Sequence, residues 1–203
     1  MLFKTIPWPK LMLLLPLVAY SFVMDKSSET KKWMINENST LTVNGSTNIN
    51  TFACDVPAYG QVDTLTIKPK ADKSIILSGK IDLKIQSFDC HNSIMTHDLQ
   101  NTLKAKQFPC LHISFLSLSE LPELTARPKS ITGLVRIELA GVLKQFEINY
   151  QVSADAQKTI HLVGTRDLNF SDFNLVPPRK LGGIIHTNDK LNVVFHLKMT
   201  AIE

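Results

Sequence analysis

Cysteine, glycine and aromatic residues are all scarce in this chain: 3 Cys, 8 Gly and 7% Phe, Trp and Tyr in 203 residues. Three cysteines cannot build a disulfide framework, and so few glycines exclude a collagen-like repeat. No apolar run reaches the roughly 20 residues that a spanning helix needs. Internal repeats and low-complexity tracts are missing, which sets aside propellers and solenoids. There is no Gly-x-Ser-x-Gly, phosphate-cradling glycine loop, dinucleotide fingerprint, His-Glu-x-x-His or Cys-x-x-Cys, so common catalytic and metal-binding spacings are absent. A basic stripe is also lacking, which argues against nucleic acid as a partner. What remains is a chain with 44% hydrophobic residues, too apolar for disorder and of a length that suits one domain with its own core.

The formal charge of +4 comes from 22 basic and 18 acidic residues. Two of the bases, Lys4 and Lys10, precede any acid, and Leu11–Met24 then runs LMLLLPLVAYSFVM without a charge. This is the pattern of a secretory signal, with Ala19-Tyr20-Ser21 as an acceptable small-x-small cleavage site. Residues 1–24 are therefore expected to be a signal peptide, or an uncleaved anchor, followed by a polar linker at 25–32 and a domain at 33–203. Without residues 1–21 the balance is 20 − 18 = +2. The expected location is periplasmic or extracellular, with a membrane tether if the signal stays on. Export would place the cysteines in an oxidising compartment. Cys54 and Cys90 each follow an aromatic-containing, strand-like run and form the preferred disulfide pair, leaving Cys110 as a buried thiol; three unpaired cysteines are the alternative, because spacing does not determine connectivity.

From Trp33 onward the hydrophobic pattern has period two. In Ser74–Gln86, Ile75, Leu77, Gly79, Ile81, Leu83 and Ile85 share one face and Ile76, Ser78, Lys80, Asp82, Lys84 and Gln86 the other. That is a strand with one dry and one wet side, long enough to coil around a barrel. Ile131–Leu139, Phe146–Val152 and Leu191–Met199 repeat it. Asn44-Gly45 and Ala140-Gly141 read as tight hairpin connections. One segment differs: Asn92–Lys106 puts Ile94 or Met95, Leu99 and Leu103 on a helical stripe, with Asn92 or Ser93 as the cap and Pro109 blocking extension. The expected fold is mainly β: an antiparallel barrel of about eight or nine strands with one short helix over about 93–106, plugging one end.

Six histidines (His91, His97, His112, His161, His186 and His196) are spread along the chain without ligand spacing, and surface or loop positions account for them. A catalytic role would require at least two of them to meet a carboxylate at a cavity mouth. No metal site and no catalytic residue are expected. A closed barrel of this size either fills its interior with side chains or holds one small ligand.

Trp33-Met34-Ile35…Ser39-Thr40-Leu41-Thr42-Val43-Asn44-Gly45, Leu103–Pro109 with Ile113-Ser114-Phe115, Ile131-Thr132-Gly133-Leu134 with Leu139–Lys144, and Asp172-Phe173-Asn174-Leu175…Pro177-Pro178 occur in the order seen in one family. On these motifs the chain resembles the YceI-like family of exported polyisoprenoid-binding proteins, in the proline-bearing variant of Bacteroidetes-type members. It departs from the family pattern at Ala140, where His is usual, and at Leu143, where Thr is usual. The resemblance implies a lipocalin-like antiparallel β-barrel, no catalysis, no required cofactor and an isoprenoid or quinone-like lipid, or another long-chain lipid, as ligand. Transient membrane contact and a homodimer are both compatible with it. The apolar lining candidates, chosen by dry-face parity, are Phe52, Leu77, Ile81, Ile113, Phe115, Val135, Ile137, Phe146, Ile148 and Phe195. The competing expectation is a structural or protein-interaction module of the cell envelope whose barrel is only a packed core.

Overall fold

The computed structural model describes residues 29–72 and 74–202; the expected signal peptide lies outside them. The described residues are 57% strand, folded as a closed eight-stranded antiparallel barrel with a single α-helix among them. Its strands are β1 (Lys31–Ile35), β2 (Thr40–Ser46), β3 (Thr51–Val56), β4 (Asp63–Pro69), β5 (Ile75–Lys84), β6 (Cys110–Leu118), β7 (Lys129–Leu139), β8 (Val142–Ala154), β9 (Ile160–Asn169), β10 (Arg179–Lys180), β11 (Ile185–His186) and β12 (Lys190–Ile202); the helix α1 spans Ser93–Thr102. The β1 strand begins at Lys31, within the stretch read as linker.

Ten strands pair in the order β1-β4-β5-β6-β7-β8-β9-β12-β2-β3, and β1 also pairs with β12 to close the ring. Both β1 and β2 lie against the same edge of β12, at Ile35↔Met199 and Thr40↔His196. They are two halves of one bent strand. In the same way β3 and β4 return along β2 and β1.

Alternation drives the closure. Ile131, Val135 and Ile137 on β7, and Ile148, Tyr150 and Val152 on β8, are all buried inside, as are Ile75, Leu77, Ile81 and Leu83 on β5. A register shift between Phe115 and Ser117 on β6, a bulge at Leu116, moves the inward set from Phe115 to Leu118.

Three local readings are corrected. The β2–β3 turn falls at Thr47–Asn50 rather than at Asn44-Gly45, with the Thr47 hydroxyl accepting from the N–H groups of Ile49 and Asn50. Gly45 instead pairs with Phe52 in the ladder, and its missing side chain makes room for that ring: a Cβ would sit 2.2 Å from the Phe52 Cζ. The β5 strand stops at Lys84 and continues as a 3-10 turn over Ile85–Ser87; its partner there is Pro109, which has no N–H with which to extend the ladder. The helix ends at Thr102, four residues early. Lys104 takes a left-handed φ of 57°, and Lys104 and Ala105 donate to the carbonyls of Asn101 and Gln100. That is a Schellman stop with lysine where glycine is usual. At its start Asn92 accepts from the Met95 N–H at 3.1 Å, as expected of a cap.

The two barrel ends differ. At one, the loop 155–159 joins β8 and β9, which pair as far as Ala154↔Ile160, and the loop 119–128 joins β6 to β7. At the other sit α1, a 3-10 turn over Phe170–Phe173, and the small β10–β11 hairpin. We call these the closed end and the cap end.

Candidate functional site: an apolar cavity under the cap

The inward strand faces do not fill the cap end. An apolar cavity of about 80 Å3 lies there, walled by Leu41, Val43, Leu111, Ile113, Val135, Ile137, Ile148, Leu168 and Phe195, and roofed by Leu99 of α1 and Leu103 just after it, with Phe88, Phe170, Phe173 and Leu175. A second cavity, about 20 Å3, is lined by Val56, Ile81, Leu83, Phe115 and Leu197 among others. Leu41, Ile113 and Phe195 face both and form the partition between them. Phe195 is set by two neighbours. Its ring packs over Gly164, where a Cβ would be only 2.1 Å from the Phe195 Cζ, and lies edge-on to Tyr150 with ring centroids 5.7 Å apart.

Five of the ten lining candidates, Ile113, Val135, Ile137, Ile148 and Phe195, line the main cavity; Ile81 and Phe115 line the smaller one. The other three belong elsewhere. Leu77 is buried but lines neither cavity. Phe52 sits half-buried near the β2–β3 tip, where it lines an external groove with Ile49, Ile94 and Met95. Phe146 is half-buried at the rim, packed against Phe173 with ring centroids 5.9 Å apart. Parity assigns a residue to a face but not to a height in the barrel.

Polar groups around the interior are few. The Tyr150 hydroxyl is fully buried and has no hydrogen-bond partner among the described residues, and burial pushes its phenol well above its ordinary range. Tyr59, by contrast, donates to the Asp63 carboxylate and accepts from the Asp82 N–H at 3.2 Å.

Arg166 was not among the candidates, yet it lines the main cavity. On β9 the inward set is Ile160, Leu162, Gly164, Arg166 and Leu168, so Arg166 occupies an inward position and is nevertheless exposed. The reason lies in the ladder. The β7–β8 pairing runs to its tip at Leu139↔Val142, and β9–β12 runs to Asn169↔Lys190. The β8–β9 pairing stops at Asn149↔Thr165. Beyond that pair the strands part, and side chains take over: the Arg166 guanidinium lies 5.6 Å from the centre of the Phe146 ring and donates to the Glu147 carbonyl at 3.2 Å.

The cysteines sit at a second break in the wall. Cys54 of β3 and Cys90 are joined by a disulfide, beside a two-way backbone bridge between Asp55 and Asp89. Cys110 is a free thiol but is only half-buried, because it precedes the first inward residue of β6, Leu111.

The histidines lie outside the cavities. His112 pairs with Asp82, and His91 with Asp55 at 2.8 Å. His161 does meet His196, at 2.8 Å, and also Asp155 at 3.2 Å. This cluster stands on the outer face of β9 and β12 and lines neither cavity, so it lacks the cavity-mouth placement that catalysis would need. Among the described residues no group of three or more His, Cys, Asp or Glu side chains could hold a metal ion.

No family model matches the sequence, and no curated protein matches it. Solved structures do. A polyisoprenoid-binding domain from Saccharophagus degradans, implicated in plant cell wall breakdown, aligns with a TM-score of 0.60 at 10% identity, over 84% of this chain and 98% of that one. BcnA of Burkholderia cenocepacia aligns with a TM-score of 0.56 at 17% identity, over 79% and 95%. A mutant of the Campylobacter jejuni YceI protein gives 0.50 at 16%, over 68% and 80%. Over 79–84% of its length at the two higher TM-scores, the protein therefore shares the fold of these solved structures, YceI-type barrels.

Proposed function

We propose that this protein is an exported, non-catalytic carrier or sequestering protein that holds the apolar tail of an isoprenoid or similar long-chain amphiphile inside the barrel. The observation that carries this reading is the cavity under the cap, whose lining is apolar apart from Arg166 and Asn169. Such a lining rewards hydrocarbon at about 0.8 kcal/mol per buried CH2 and offers little to a polar substrate. The S. degradans domain of the same fold is described as polyisoprenoid-binding, which supports the same class of ligand. Around the cap, Ile49, Ile94, Val176, Leu181 and Ile184 are each at least 66% exposed, an apolar fringe suited to brief contact with a membrane during loading or release. The signal-like N-terminus supports a location outside the cytoplasm.

The volume favours a second reading. About 80 Å3 is well below the roughly 300 Å3 of an ordinary small-molecule pocket, as expected of a barrel whose core is simply packed. Joined across the partition of Leu41, Ile113 and Phe195, the two cavities would still hold only about 100 Å3, so carriage requires the cap or the wall to move outward as well as the partition to part. Extraction of protein purified from its native host with organic solvent, followed by mass spectrometry, separates the two. A carrier releases a long apolar molecule in near-stoichiometric amount. A clean extract, together with no shift in melting temperature on adding farnesol or geranylgeraniol, would leave the packed-core module as the better description.

A further inference from the structure

The barrel wall has two breaks at the cap end, and they are sealed differently. Between β3 and the segment after β5 the seal is covalent, the Cys54–Cys90 disulfide, backed by the Asp55–Asp89 backbone bridge. Between β8 and β9 no backbone bond crosses the wall beyond Asn149↔Thr165. Phe146 on Phe173, Arg166 over Phe146, and one bond from Arg166 to the Glu147 carbonyl close that gap. Side-chain contacts of this kind can be broken and remade without unpairing a strand, whereas the first seal cannot open while its disulfide stands. Arg166 also faces the cavity directly, so the gap and the cavity are continuous through one side chain. Phe173 belongs to the 3-10 turn that forms part of the roof, so its withdrawal opens roof and wall together.

We propose that the β8–β9 gap is the mouth of the barrel: an apolar chain enters sideways between these strands, past a latch made of Phe146, Phe173 and Arg166, while α1 stays in place as a fixed lid. The proposal rests on the carrier reading for its purpose, but it can be tested without any lipid. In a Cys110→Ser background, Val135→Cys puts a thiol on the cavity wall, at a residue 1% exposed, and its rate of labelling by N-ethylmaleimide reports how often the cavity opens. Arg166→Ala and Phe173→Ala should each speed labelling about tenfold, the size expected when a cation–π or aromatic contact is lost from a latch. Leu99→Ala, in the helix lid, should change the rate less than about threefold. A thiol introduced at the closed end by Leu162→Cys should be unaffected by the latch substitutions.

Unchanged rates in both latch variants, a larger effect of Leu99→Ala, or equal acceleration of the thiols from Val135→Cys and Leu162→Cys would each overturn the mouth. Should Phe173→Ala fail to fold, Phe173→Leu and Arg166→Gln thin the latch with less loss of packing, and the same criteria apply. Accelerated labelling combined with a lipid-free native extract would keep the mouth and overturn carriage. Bound lipid combined with unchanged labelling would do the reverse.

Discussion

The closed end and the cap end are made from the same strands, yet only one of them is packed as a core. At the closed end β9 is paired on both sides, to Ala154↔Ile160 with β8 and to Met199↔Ile160 with β12, and Ile160, Leu162, Tyr150 and Met199 are at most 1% exposed. At the cap end the same β9 strand carries Arg166 and Leu168 beside a cavity and lacks its β8 partner. The difference shows that an antiparallel barrel can be rigid at one end and adaptable at the other without any change of topology: the ladder only has to stop early on one seam.

A matched pair of truncations on β9 tests this most strongly. Leu162 and Leu168 are both inward, six residues apart, one in the packed half and one on the cavity. Leu162→Ala should cost about 4 kcal/mol, near the upper part of the range for leucine truncation in a close-packed site. Leu168→Ala should cost closer to about 2 kcal/mol, since a side chain bordering a void already lacks contacts on one flank. Urea unfolding of both variants measures the difference. Equal losses would mean that the two ends are packed alike.

How much of this contrast could be read from residues follows from what is local. Ile131, Val135 and Ile137, or Ile148 and Val152, declare their face by alternation within a few residues, and Ala140-Gly141 declares its turn, both residues taking positive φ. The Asn44-Gly45 turn failed because a glycine also serves a neighbour across the sheet, here the Phe52 ring. The helix stops four residues before the end its apolar stripe suggests, because its stop uses Lys104 in a conformation that glycine usually supplies. The seam between β8 and β9 was out of reach, since it depends on the register of strands that meet only in the fold. One trace of it is nonetheless visible: Arg166 interrupts the series Ile160, Leu162, Gly164, Leu168, and a charge at an inward position marks a place where the wall is open.

Tyr150 gives a smaller test with the opposite sign. Its hydroxyl is buried in the packed half without a partner among the described residues, and an unsatisfied buried donor is destabilising by about 1–3 kcal/mol. Tyr150→Phe keeps the ring against Phe195 and removes only that oxygen. The variant should be more stable by about 1 kcal/mol, a rise in melting temperature of about 2–4 °C for a domain of this size. A fall in melting temperature would show that the hydroxyl is satisfied after all, and would weaken the picture of a dry closed end.

The smallest effect sets histidines of the two ends against each other through pH. On the outer wall, where β9 and β12 run to the closed end, burial, then the charges of His161 and Lys198, lower the pKa of His196 from its ordinary 6.5. The unfolded chain then takes up the proton first as the pH falls, so this contribution to stability is present above about 6.5 and is lost on acidification. At the cap end His91 has the opposite sign: its hydrogen bond to Asp55 raises its pKa, giving a contribution present below about 6.5 and lost as the pH rises through the raised value. His91 is exposed and its pair is screened by solvent, so the His196 slope should dominate. Melting temperatures between pH 8 and pH 5 should therefore fall with acid in the wild type. His196→Gln should flatten that fall, and His91→Gln should steepen it slightly. A steeper fall in His196→Gln would reverse the sign assigned to His196 and show that the fold favours its charged form.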